Sequence, residues 1–183
     1  MNKKTNIRSC SYIALCAVLI AVCAWIRIPA LVPFTMQTFG VMTALLLLGG
    51  KRGTAAVGVY LSLALIGLPV CAGFQGGFGV FTQPTGGYLW GFLLTGLIYW
   101  LITALSRQRL WGQILGMIFG ILGCYTAGTM WLFVWQSQSQ YGAVLAVGDI
   151  LPLCVLPFVI PDLLKCVLAF FLARRLRKIL PLD

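Results

Sequence analysis

Residues 161–165 read PDLLK inside the otherwise apolar run PFVIPDLLKCVLAFFL. Asp162 and Lys165 stand three positions apart, so on a helix their side chains share a face. A carboxylate accepts hydrogen bonds and an ammonium donates them. Side by side they partly neutralise one another and offer a small polar head, one with both N–H and C=O groups, an acceptor and a donor. The competing reading is an ion pair that only fixes helix packing. An ionisable group at the centre of a membrane helix costs about 2.5 to 3.5 kcal/mol on insertion scales. In either role the pair must therefore face a partner or a polar cavity, not lipid. Pro161 fits the first turn of a helix, and a helix restarting there would set Asp162 at a positive dipole end.

The rest of the chain explains why such a helix is expected. Of 183 residues 61% are hydrophobic and 9% charged, with a mean hydropathy of +1.00, against about 25% charged residues in soluble proteins. An integral membrane protein is expected, organised as one domain over 1–183. Six apolar blocks can be marked, at about 9–28, 36–49, 54–69, 86–105, 113–135 and 150–173, which gives an all-α fold of six transmembrane helices. The second and third fall short of the roughly 30 Å hydrocarbon core, so they are expected to be bent, re-entrant or shielded by neighbours. Counted back from Arg174, Lys165 lies about 14 Å and Asp162 about 18 Å into the last block.

The net charge of +10 does not mark a nucleic-acid binder, because the basic residues separate apolar blocks and form no face on a soluble fold. Of 13 Lys and Arg residues, all but Arg27 and Lys165 lie in four segments, MNKKTNIR, GGKRG, SRQRL and RRLRK. Six passes put all four on one side, which the positive-inside rule makes the cytoplasm, together with both termini. The basic and apolar start resembles a signal peptide but lacks a cleavage site, so a retained first helix is expected. Arg27, at the outer end of that helix, is expected to snorkel to headgroups. The seven cysteines form no CxxC and no histidine is present, so they are read as small buried hydrophobes and no metal site or cofactor is expected.

Three acids in all, Asp149, Asp162 and Asp183, leave little for acid–base catalysis. Neither GGFGVF nor LLLLGGKRG completes a nucleotide-binding loop, so the chain is expected to be neither an enzyme nor an ATPase. A proton or cation pathway through Asp162 stays open, although pathways favour several intramembrane acids. The outer segments are LVPFTMQ, the long PVCAGFQGGFGVFTQPTG, and QSQSQYGAVLAVGD. The second carries Gly73, Gly76, Gly77, Gly79 and Gly86, with Gly87 directly after it, and no charge. It is too glycine-rich for a regular helix and too apolar for a solvated linker. Irregular backbone at membrane depth is tolerated where it is buried in protein or lines a cavity, so this segment is read as a partly inserted cap. Thr35, Gln37, Gln75, Gln83, Thr85 and Tyr88 can face the same outer cavity, each against the alternative of satisfying its own turn. Phe74, Phe78, Phe81, Tyr88 and Trp90 can wall an apolar part of a ligand or anchor at the interface, and the diglycine at Gly87 can serve only helix packing.

Three stretches, VPFTMQTFGV at 32–41, PVCAGFQGGFGVFTQPTGGYLWGF at 69–92 and PFVIPDLLKCVLAF at 157–170, together resemble the BioY family. These are the biotin-binding S components of energy-coupling factor (ECF) vitamin transporters. The resemblance covers nearly the whole chain. It implies a six-helix S-component fold with biotin held from outside, Asp162 and Lys165 contacting its ureido ring, and the glycine-rich loop as a cover that brings Gln75 and Gly77 to the ligand. Thr35, Gln37, Thr85, Gly87 and Tyr88 join as further contacts. Where the family often has glycine before PTGGY this chain has Gln83, which puts local cap geometry in question. The family pairs with a transmembrane T component and two ATPases; Ala17 and Ala21, spaced as small-xxx-small on the first helix, can admit such a partner or serve internal packing. Membrane lipid is the remaining partner, and another small vitamin or a solitary facilitator remains the alternative function.

Overall fold

The computed structural model describes residues 3–28, 34–138 and 155–180, with the side chains of 3–6 and 138 outside the description. The segment around Asp149, expected from sequence to be an outer loop, Asp183 and Cys154 also lie outside the described residues. Helix α1 spans Lys3–Trp25 and leads into a two-stranded antiparallel ladder, β1 (Arg27–Ile28) with β2 (Phe34–Thr35), in which Arg27 pairs with Thr35 and Ile28 with Phe34. There follow α2 (Gln37–Leu48), α3 (Gly50–Leu65), the short α4 (Gly79–Thr82), α5 (Gly86–Leu105), α6 (Leu110–Gln138) and α7 (Leu156–Arg177).

Among the described residues four helices, α1, α5, α6 and α7, are long and apolar enough to cross a membrane. Their large apolar side chains, such as Leu15, Leu101, Phe119 and Leu164, point outward and are exposed, the pattern of a bundle whose solvent is lipid. The two short helices answer differently. α2 has 12 residues and rises only about 18 Å, yet Gly40 through Leu47 are all buried, because α1, α3 and α7 surround it. Shielding, among the three expectations for the short blocks, is the one the structure adopts. α3 keeps the length of the predicted block but is displaced toward the N-terminus, spanning Gly50–Leu65.

Without a hydrophobic drive between helices in lipid, close backbone approach carries the packing. α6 presents Gly116 and Gly120 to α5, where an added Cβ would lie 2.9 Å from a ring atom of Tyr99 and 2.9 Å from Thr95 Cγ2. The approach lets the Thr95 hydroxyl donate across to the Gly120 carbonyl at 2.8 Å. Ala17 and Ala21, expected as a docking pair, are 1% and 5% exposed within the core. In this fold they are packing residues, turned away from any outside helix. Cys16, Cys23, Cys71, Cys124 and Cys166 are buried as expected, whereas Cys10 is exposed.

The helix ends divide the molecule into two chemically different poles. At one, Leu46, Gln108, Arg174, Arg175, Arg177 and Lys178 line a common depression, and Arg177 Nε donates to the Leu47 carbonyl at 3.0 Å. At the other stand the β-ladder, the α3–α5 connection and the N-terminal half of α7. Pro161 lies inside α7, so no helix restarts there and Asp162 does not occupy a first turn; the proline only removes one backbone N–H from the ladder. Replacing Gly120 by valine should force α5 and α6 apart and lower stability by about 1 to 3 kcal/mol, the usual cost of overpacking, read as a reduced melting temperature in detergent.

Candidate functional site

The pair that opened the sequence is formed. Lys165 Nζ donates to Asp162 Oδ1 at 2.7 Å, with the two residues 3% and 5% exposed. Neither relies on the other alone. Lys165 Nζ also donates to the Thr35 carbonyl at 2.7 Å and sits 3.8 Å from the centre of the Phe34 ring, a cation–π contact. The Tyr125 hydroxyl on α6 donates to Asp162 Oδ2 at 2.7 Å. A buried ion pair repays its desolvation only when such additional bonds complete it.

This cluster forms one wall of a cavity of about 210 Å³, the space of about seven liquid waters at about 30 Å³ each. Eight of the polar residues expected from sequence meet there: Thr35, Gln37, Gln75, Gln83, Thr85, Tyr88, Asp162 and Lys165 all line it. Val41, Leu89, Phe92 and Phe158 supply apolar wall. A few convergent polar groups in a mostly apolar, concave surface are what small-molecule sites use.

The cavity is held by a polar chain running out of it. The Thr35 hydroxyl donates to Gln37 Oε1 at 3.1 Å, Gln37 Nε2 donates to the Tyr60 hydroxyl at 2.7 Å, and that hydroxyl donates to Cys71 Sγ at 3.6 Å. Cys71 begins the cap proper: its N–H donates to the Gln75 carbonyl at 2.9 Å, closing a tight loop that needs Gly73 at φ 75° and even places Phe74 at φ 58°. Trp25 Nε1 donates to the Pro69 carbonyl and Trp131 Nε1 to the Gln83 carbonyl, each at 2.9 Å, so α1 and α6 tether the two ends of the cover. The expectation of wholly irregular backbone is corrected in one place, where α4 makes a single helical turn.

Other expectations move. Gly77 does not line the cavity; its N–H donates to the Ala64 carbonyl at 2.7 Å and its φ of 90° serves the chain turn. Gly87 is a packing glycine pressed on Trp131. Phe74 and Phe78 are 64% and 68% exposed, Phe74 stacking on Trp25 at 5.0 Å, and Phe81 and Trp90 contact each other without lining the cavity; only Tyr88 of the aromatic set does. Arg27, expected at headgroups, lines the cavity instead. Sequence reasoning missed Tyr125, Phe34 and Phe158. Tyr125 did leave a signal, a hydroxyl in the middle of an apolar block that must find a partner when buried.

The hydrogen-bond accounting defines what the site can do. An ionised carboxylate has about four acceptor positions and an ammonium three donors. Asp162 uses one position on each oxygen, and Lys165 uses two donors on oxygen with a ring against it. The remaining capacity is acceptor-rich with one donor direction, suited to a neutral group that presents more N–H than C=O.

Comparison with known proteins follows the same line. The BioY family model matches residues 1–182. A biotin transporter BioY of Thermotoga maritima is 39% identical over 162 residues, covering 88% of this chain and 90% of that protein. A biotin transporter BioY of Lactococcus lactis subsp. cremoris is 36% identical, covering 80% and 76%. The crystal structure at 2.1 Å of the S-component for biotin from an ECF-type ABC transporter superposes with a TM-score of 0.83 at 31% identity, over 97% of this chain and 95% of that one. With its whole length matched in sequence and its backbone in shape, the chain belongs to the BioY family.

Proposed function

We propose that the chain is a single-domain biotin-binding S component that captures the vitamin from outside and delivers it inward with an ECF module. In this reading the polypeptide passes the membrane six times, α2 and α3 included, with both termini and the basic pole in the cytoplasm of a bacterial cell. The cavity then opens at the outer pole beneath the cap. Drive comes from a transmembrane T component and two ATPase subunits, since the sequence contains no complete nucleotide-binding motif. The chain performs no covalent chemistry.

The observation that carries the reading is the unused capacity of Asp162 and Lys165 at the buried wall. A ureido ring has two N–H donors and one carbonyl, the count that the pair leaves open. Gln75 and Tyr88 add polar contacts, and Phe92 and Phe158 give the thiophane ring an apolar surface. Each contact is available without breaking the ion pair.

Purified protein should bind biotin and neither thiamine nor riboflavin in calorimetric titration; a preference for either of the others would transfer the site to another vitamin. Tyr125→Phe should weaken biotin by about two- to tenfold, the worth of one hydrogen bond that positions the acceptor. Asp162→Asn or Lys165→Ala should weaken binding by far more than either lowers the melting temperature. If both single variants simply lost fold and binding together, the pair would be structural and the ligand contacts would lie elsewhere.

A further inference from the structure

Summed over the cavity, the formal charges do not cancel. Its formally charged lining residues are Arg27, Lys165 and Asp162, and Lys165 and Asp162 neutralise one another at 2.7 Å. Arg27 is left over as a net positive charge. Among the described residues its guanidinium has neither a hydrogen-bond nor an ion-pair partner.

Its position is set by the fold, not by side-chain reach into lipid. Arg27 stands opposite Thr35 in the β-ladder, and the Thr35 carbonyl is the acceptor for Lys165. One two-residue ladder therefore carries a cation on each flank of the same residue. The guanidinium lies close against the cap at Gly73, where a Cβ would come within 2.7 Å of Arg27 Cζ. Lys165 is buried and Arg27 is exposed, so the cavity runs from a buried, mutually neutralised pair to an exposed cation at its mouth. A planar guanidinium with five donors matches a carboxylate bidentately.

We infer that Arg27 is the residue that binds the ligand's carboxylate, making the site selective for a monoanion with a neutral polar head at the opposite end. The inference rests on the biotin reading: ureido ring at Asp162 and Lys165, valerate carboxylate at Arg27. It gives the cap a second task, since Gly73 holds the guanidinium beneath the loop and lets the carboxylate meet it there.

Biotin and its neutral carboxamide, biotinamide, separate the two ideas. Wild-type protein in detergent should bind biotin at least about tenfold more tightly than biotinamide, as expected for a charge-assisted pair. Arg27→Gln should reduce that ratio to within about twofold by weakening biotin while leaving biotinamide and the melting temperature in place. Arg27→Lys, the variant to use if Arg27→Gln does not fold, should keep part of the ratio because it keeps charge without the fork. A wild-type ratio near one, or a variant that keeps the full ratio, or one that loses both ligands equally, would overturn the assignment. If wild-type protein bound neither molecule, the failure would fall on the biotin reading itself.

Discussion

A charged lysine and a charged aspartate inside an apolar helix constrain everything around them. Each must be satisfied from the protein, because lipid offers no partner. The partners come from three separate parts of the chain. Tyr125 arrives on α6, Thr35 and Phe34 arrive on β2, and the two charges share α7. Lys165 and Thr35 are 130 residues apart in sequence, so the ion pair fixes the β-ladder to the last helix across almost the whole fold. A residue of so short a strand, with its carbonyl committed in this way, is tied to the last helix as well as to its own ladder.

Packing elsewhere makes that convergence possible. Glycines on α6 bring α5 close enough for Thr95 to bond across, and α2 threads the centre between α1, α3 and α7. The cover is tied at its two ends by Trp25 and Trp131 and closed by the Cys71–Gln75 bridge. Rigid helices thus carry the charged wall, while tethered, glycine-bearing backbone carries the cover. This division suits a site that must be both exact in its contacts and able to admit a ligand.

Much of this was legible before any coordinates. The apolar blocks placed the long helices, and three rare polar features, PDLLK, the glycine-rich cap and the Thr35–Gln37 segment, marked the residues that meet in the cavity. The misses have a common physical origin. Ala17 and Ala21 met the spacing rule for a docking face, but in an alanine-rich helix spacing does not say which side is already covered. Gly77 and Gly87 lay in the right segments with the wrong orientation, because a glycine has no side chain to reveal its direction. Arg27 was read as an interfacial anchor because its place opposite Thr35 arises from a ladder of only two residues per strand, too short to leave a periodic signal. Tyr125 carried the signal of a buried hydroxyl, but its partner lies 37 residues away.

Pro161 acquires a mechanical meaning from this arrangement. Its missing N–H leaves the Pro157 carbonyl without the usual rung of the helix ladder, so α7 is softest just before the charged pair. Phe158, which lines the cavity and stacks on Phe34 at 6.2 Å, lies on the soft side. Asp162 and Lys165 lie on the stiff side, within unbroken helix running to Arg177. The gap in the ladder thus separates the turn that lends apolar wall from the turns that lend charge, so the two kinds of contact are carried by different stretches of one helix.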